Sequence, residues 1–249
     1  MPFPPPPAKR EVSDVNLVTE VKVVIDKMIV EKLLSKLKSW YKSGEWWRNV
    51  DYTPFEIVVA IIVSQRTYYK QVIRFMETFR ARYKSPEDVC EGSTDELIAV
   101  CRVVGMAERR AATIRELSRK ILSVSGMKNF LKLSPEKARE LLLSVKGIGE
   151  KTADMILVAL FGSKYFIVDC NILRVLRRLG IIPTNIDIYR ARKELEPFIP
   201  SEHRVFLHTS LVSLGQKICR PRNPACTACP LNKLCDYARK TVAHDQNFL

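Results

Sequence analysis

Apolar residues recur along this chain at three- and four-residue intervals from residue 12 onward, and sustained alternation of apolar and polar positions is nearly absent. That pattern predicts an all-α protein. Leu17, Val21, Val24, Met28, Leu33 and Leu37 fall at roughly helical spacing with Gly44 as a stop, which predicts a largely helical stretch over 12–43. Thr53-Pro54-Phe55-Glu56 sets an N-cap threonine, a proline at the first helical position and a capping-box glutamate ahead of the apolar run 57–63, so a buried helix starts there. Ser85-Pro86-Glu87-Asp88 and Ser134-Pro135-Glu136 repeat the order of serine, proline and acid, and Thr94-Asp95-Glu96 opens a further short helix. The longest apolar runs, 57–63 and 155–161, are too short to span a bilayer, and no repeat of solenoid length is present.

The most informative segment is 141–180. A helix from Pro135 ends near Val145, Lys146-Gly147-Ile148-Gly149 makes a tight turn, and a second helix runs from Glu150 to Phe161 with Gly162 as its stop. Glycines on both sides of Ile148 free the backbone for conformations barred to other residues, so the N–H groups of the turn can point outward. Next to a helix N-terminus, such a turn suits a phosphate oxygen. Lys151 lies in the first turn of the second helix, where the helix dipole opposes a positive charge and favours the nucleophilic free amine. A solvated surface lysine is the simpler alternative. Asp169 precedes the predicted helix 170–179, which Gly180 ends, and reads as its N-cap. A carboxylate that accepts backbone N–H bonds stays ionised, so it can also offset positive charge on a reacting centre or take a proton.

Charge narrows the partners. The 249 residues carry 41 Lys+Arg against 27 Asp+Glu, a formal net charge of +14, which implies an acidic partner without choosing between nucleic acid and an anionic surface. The N-terminal MPFPPPPAKR lacks the order of a secretory signal and is expected to be an extended, disordered arm, so an intracellular protein is expected.

Seven cysteines fall into three scattered ones, Cys90, Cys101 and Cys170, expected to be small buried residues, and four packed together. Cys219, Cys226, Cys229 and Cys235 form C-x6-C-x2-C-x5-C, which in a reducing compartment specifies a metal site rather than disulfides. Four-cysteine zinc sites usually join two separate CxxC knuckles, whereas one compact run with a single CxxC suits a [4Fe-4S] cube, so zinc is the alternative. The basic, proline-stiffened loop 220–225, with Arg220 and Arg222, could hold phosphates. The three histidines, His203, His208 and His244, have no ligand spacing with the cysteines and receive no role.

Together these residues resemble the endonuclease III branch of the helix-hairpin-helix, glycine/proline-aspartate glycosylase superfamily, over about residues 20–240. The resemblance implies that Lys151 attacks the sugar C1′ and forms a Schiff base with help from Asp169. It implies that Gln65 fills the gap left by an extruded base, that Met106 is an intercalating wedge, and that Lys146, Gly147, Ile148, Gly149, Arg220 and Arg222 contact DNA. It also implies two helical lobes with the active site in the cleft between them. One is a six-helix lobe at 53–163 containing the hairpin. The other is a cluster lobe from 12–52 and 164–240, with an arm at 1–11 and a tail at 241–249. The implied activity is a bifunctional DNA glycosylase and AP lyase that removes damaged bases, oxidised pyrimidines first, as a monomer on double-stranded DNA and with a [4Fe-4S] cluster. Departures bear on substrate. Lys146 and Lys164 stand where the family has proline, Ile61 stands where the adenine glycosylases have their glutamate, and Arg66 departs from the endonuclease III pattern. Asn171 stands where oxidised-pyrimidine enzymes have histidine and looks like the mismatch-specific glycosylases. A mismatch- or alkylated-base glycosylase and a non-catalytic damage-binding protein are the alternative readings.

Overall fold

The computed structural model describes residues 23–42 and 50–245, and among them every regular element is helical. The expectations for 1–22, for the stop at Gly44 and for 246–249 lie outside the described residues. No described helix is long and apolar enough to cross a membrane.

The first described helix, α1 (Lys27–Trp40), begins later than its apolar spacing predicts. Val24 N–H donates to Ile181 O at 2.8 Å, and Asp26 then caps the helix by accepting from Ile29 N–H at 2.7 Å. This cap sets the phase of the buried stripe to Val30, Leu33, Leu34 and Leu37, and leaves Val24 and Met28, expected on that stripe, exposed.

Eight helical segments enclose the first core: α2 (Pro54–Val63), α3 (Tyr69–Arg82), α4 (Pro86–Glu91), α5 (Thr94–Cys101), α6 (Ala107–Ser123), α7 (Met127–Phe130), α8 (Pro135–Leu143) and α9 (Glu150–Phe161). Six of them have eight or more residues, and α4 and α7 are short. The local start signals operate as their chemistry dictates. Thr53 and Glu56 make a reciprocal capping box at α2, Ser85 and Asp88 another at α4, and Ser134 caps α8. Helix α2 is apolar on all sides and almost wholly buried, so it forms the spine against which α3, α6 and α9 pack. Phe55, Phe75, Phe79 and Phe130 fill this core.

A second core gathers α1, α10 (Cys170–Leu179), α11 (Ile188–Leu195), α12 (Ser201–Lys217) and α13 (Asp236–Asp245). Helix α13 continues past residue 240, where a tail was expected to begin. The cores meet at the extended connector that follows Gly162, whose φ of +64° ends α9. Successive side chains of an extended chain point to opposite sides. Ile167 therefore enters the first core while Phe166 and Val168 enter the second, and Asp169 is delivered at the seam.

Candidate functional site

Lys151 Nζ and Asp169 Oδ2 stand 3.5 Å apart across this seam, Lys151 from the first turn of α9 and Asp169 from the cap of α10. Asp169 Oδ1 accepts from Asn171 N–H at 2.8 Å and Ile172 N–H at 2.9 Å, which leaves Oδ2 facing Lys151 and the Asn171 amide, whose Nδ2 donates at 3.2 Å. Burial alone would push this carboxyl up. The Lys151 charge and the Ile172 N–H outweigh it and hold Asp169 below the ordinary carboxylate range, so it is an anion at neutral pH. Lys151 keeps 49% of its side chain exposed, which leaves the amine reachable from outside. Behind the pair, the buried ring of His208 bonds Ile167 O through Nδ1 at 2.8 Å, and burial depresses it to about 4, so the ring is neutral.

The two loops beside Lys151 are organised by α6. Arg110 is 4% exposed with no carboxylate in ion-pair range among the described residues. Its guanidinium donates to Val63 O, to Gln65 O at 2.6 Å and to Thr67 Oγ1 at 2.7 Å. This staple fixes the loop after α2, and Gln65 Nε2 then reaches Thr152 Oγ1 at 3.0 Å, on the residue following Lys151. One turn further along α6, Thr113 Oγ1 lies between Arg109 O at 2.9 Å and Lys146 O at 3.0 Å, sharing its one proton between them, and so sets the hairpin against the same helix. Within the hairpin only Gly147 takes a positive φ, +102°, and a Cβ there would meet Thr113 Oγ1 at 2.3 Å. Gly149 is an extended N-cap with open space around it, so it needs no left-handed conformation, contrary to the reading from sequence. Ile148 is likewise corrected. Its side chain is buried in the first core and its N–H donates to Val145 O at 3.0 Å, so it anchors the hairpin and has neither group free for a ligand.

The four clustered cysteines border the second core, with Cys235 buried and Cys219, Cys226 and Cys229 half-buried. Burial pushes the Cys229 thiol up to about 11, and the Cys219, Cys235 and Cys226 thiols add to the rise. Among the described residues no three His, Cys, Asp or Glu side chains converge as they would on one ion. Arg178 braces this corner, donating to Cys219 Sγ at 3.3 Å, Arg220 O at 2.7 Å and Pro221 O at 3.0 Å. Arg174 joins it to the seam. Its Nε donates to Cys219 O at 2.9 Å and its Nη2 to Asn171 Oδ1 at 2.9 Å, the same asparagine that bonds Asp169.

A family profile described as the HhH-GPD superfamily of base excision DNA repair proteins matches residues 59–200, more than half of the chain and including Lys151 and Asp169. The chain belongs to this superfamily. Its relatives include a thymine-DNA glycosylase of Aeropyrum pernix, 32% identical over 86% of this chain and 97% of the relative. An endonuclease III of Bacillus subtilis is 29% identical over 85% of this chain and 93% of the relative. Among solved structures, a non-covalent endonuclease III–DNA complex superposes with a TM-score of 0.77 at 24% identity, covering 88% of this chain and all of the other. A thermostable thymine-DNA glycosylase superposes with a TM-score of 0.71 at 25% identity, covering 86% and 96%. The protein is thus an endonuclease III-like HhH-GPD DNA glycosylase of base excision repair.

In this glycosylase Lys151 pairs with Asp169, and Gln65 bonds Thr152 next to it, whereas no hydrogen bond or ion pair joins Met106 or Arg222 to this group among the described residues. Met106, 48% exposed with φ +49°, projects from the start of α6 instead of filling the core. Lys146, Arg220 and Arg222 are exposed. Of the scattered cysteines only Cys101 is buried, and Cys170 is exposed at the first position of α10, against expectation, because the cap at Asp169 turns that position outward. His208, Arg110, Arg174 and Asp154 carry much of the site's support yet were given no role from sequence. Asp154 is 2% exposed on α9 and is held by Arg139 Nε at 3.1 Å from α8 and by Arg192 from α11, so the lysine-bearing helix is pinned to both cores.

Proposed function

We propose that this glycosylase is bifunctional, removing a damaged pyrimidine, oxidised pyrimidines first, and then cleaving the abasic strand through a Schiff base on Lys151. The observation that carries this reading is the 3.5 Å pair of an accessible amine and a buried, ionised carboxylate at the seam between the cores. Duplex DNA hides the sugar C1′ in the stack, so the target nucleotide must be turned out toward this pair. The Asp169 anion then stabilises positive charge growing on the sugar as the C1′–N bond breaks and its electron pair leaves with the base. Lys151, having given its proton to water, bonds C1′ through Nζ while Asp169 stays ionised. Ring opening gives an iminium, loss of a C2′ proton expels the 3′ phosphate, and water later releases the amine. The products are free base and a nicked strand.

The DNA would be gripped by the hairpin at Lys146, Gly147 and Gly149, by the Gln65 and Met106 loops, and by Arg220 and Arg222, on a chain of net charge +14. Cys219, Cys226, Cys229 and Cys235 would hold a [4Fe-4S] cluster, for which four free thiols in one compact run with a single CxxC are a fitting donor set. The cluster would order the loop 220–225 and supplies no step of the base-release chemistry.

A second reading, a thymine or uracil mismatch glycosylase of the same superfamily, is favoured by Asn171, whose amide bonds Asp169 directly, and by the Aeropyrum thymine-DNA glycosylase relative. Single-turnover assays on duplexes carrying thymine glycol, a T:G mismatch, uracil or 8-oxoguanine test both. Fastest release and nicking at thymine glycol is the expected result. Fastest release at T:G moves the assignment to the second reading, and release of any base without a nick removes the lyase step.

A further inference from the structure

Tyr68 and Tyr69 are 82% and 65% exposed, more than any other large hydrophobic residue among those described. Their position is not one that stability explains. Tyr68 is the N-cap of α3 and makes no side-chain cap bond, at a site where serine, threonine or aspartate would satisfy a backbone N–H. The loop that carries it is held rigidly all the same. Arg110 grips Gln65 O and Thr67 Oγ1, and Thr67 Oγ1 lies 3.4 Å from Val104 O, two residues before Met106. Arg66 and Met106 both adopt the left-handed region, at φ +52° and +49°, so both loops hold backbone conformations that a non-glycine residue takes only under constraint. The result is a pair of exposed tyrosines three and four residues after Gln65, in a loop tied through Thr67 to the one that carries the exposed Met106, with Gln65 itself bonded to the residue after Lys151.

An intact duplex offers this surface nothing, since it presents phosphates and groove edges, with its base faces covered by stacking. Eversion of one nucleotide uncovers such a face on the base left without a partner. Resting on the glycosylase reading, we propose that Tyr68 and Tyr69 form an aromatic platform that stacks on the widowed base of the opposite strand and so contributes to opposite-base recognition. Aromatic faces stack on any base, so the platform favours the open duplex with a graded preference for large purines.

The test uses the whole protein and a duplex with a tetrahydrofuran abasic analogue opposite 2-aminopurine, a base whose emission is quenched by stacking. With wild type, emission should stay quenched on binding. With Tyr68→Ala/Tyr69→Ala it should rise several-fold and the dissociation constant should increase by about 5- to 100-fold, whereas Tyr68→Phe/Tyr69→Phe should match wild type. Both tyrosines are exposed, so the alanine protein should keep its helical circular dichroism and its thermal midpoint. Equal emission and equal affinity for wild type and the alanine variant would overturn the proposal. Borohydride trapping on a natural abasic site separates the failures. Normal trapping with an unchanged alanine variant sinks the platform alone, while no trapping and no binding by wild type sinks the glycosylase reading and the platform with it.

Discussion

Asp169 combines two functions that a pair of substitutions separates. Its Oδ1 caps α10 through Asn171 N–H and Ile172 N–H, while Oδ2 faces Lys151. Asparagine caps a helix about as well as aspartate, so Asp169→Asn should keep the cap and lose the charge and the bond from Asn171 Nδ2, costing about 0.5–1 kcal/mol. Asp169→Ala removes the cap as well and should cost about 1–2 kcal/mol. Unpairing Lys151 adds little in either variant, because its side chain is 49% exposed and solvent replaces the partner. The chemistry should respond in the opposite proportion. Without an anion at the reacting sugar, both variants should release base about 100- to 10,000-fold more slowly. Urea unfolding and single-turnover base release on the same preparations check this. An Asp169→Asn protein that releases base at the wild-type rate would refute the catalytic role, and one as unstable as Asp169→Ala would refute the capping argument.

Three other outcomes are expected. His208 is neutral in the fold and sits at about 4, below its ordinary 6.5, so the unfolded chain binds more protons between those values. Stability from this group is full above pH 6.5 and lost as pH falls toward 4, by about 3 kcal/mol in total. Thermal melts against pH should show that loss in wild type and a shallower one in His208→Gln, and parallel curves would contradict it. Replacing Asp154 by alanine leaves Arg139 and Arg192 facing each other without their shared carboxylate, and should cost about 3 kcal/mol in urea unfolding. A loss below about 0.5 kcal/mol would show that the seam does not depend on it. Protein purified without oxygen should be brown and contain about four irons per chain, with Cys229→Ser losing both colour and iron, whereas one zinc per chain would contradict the cluster assignment.

What the sequence disclosed and what it concealed divide along the range of the interactions. Thr53 with Glu56, Ser85 with Asp88, Gly162 and Asp169 act within one helical turn, so residue identity alone specifies them. Lys151 stands out in the sequence because an amine at a helix start beside a glycine turn is an unusual combination, and the fold sets it 3.5 Å from Asp169. Arg110, Arg174, His208 and Asp154 were not legible. Each has a partner 38 to 45 residues away, and an arginine or histidine on a helix gives no local sign that it will be drawn inside. The phase of α1 departs from its apolar spacing for a related reason. Its apolar spacing continues through Val24 and Met28, but Asp26 and the bond from Val24 to Ile181 begin the helix late and turn both outward. Ile148 carried a similar ambiguity, since a hairpin apolar residue between glycines can face a ligand or the core, and here it enters the core.

The central claim is that one amine, on Lys151, becomes covalently joined to DNA. The most direct measurement is reduction with borohydride during reaction on an abasic duplex, followed by digestion and mass mapping of the cross-linked peptide. The adduct should fall on the peptide containing Lys151, and Lys151→Ala, with unchanged DNA binding, should form none. An adduct on another lysine, or equal trapping by wild type and Lys151→Ala, would contradict the account.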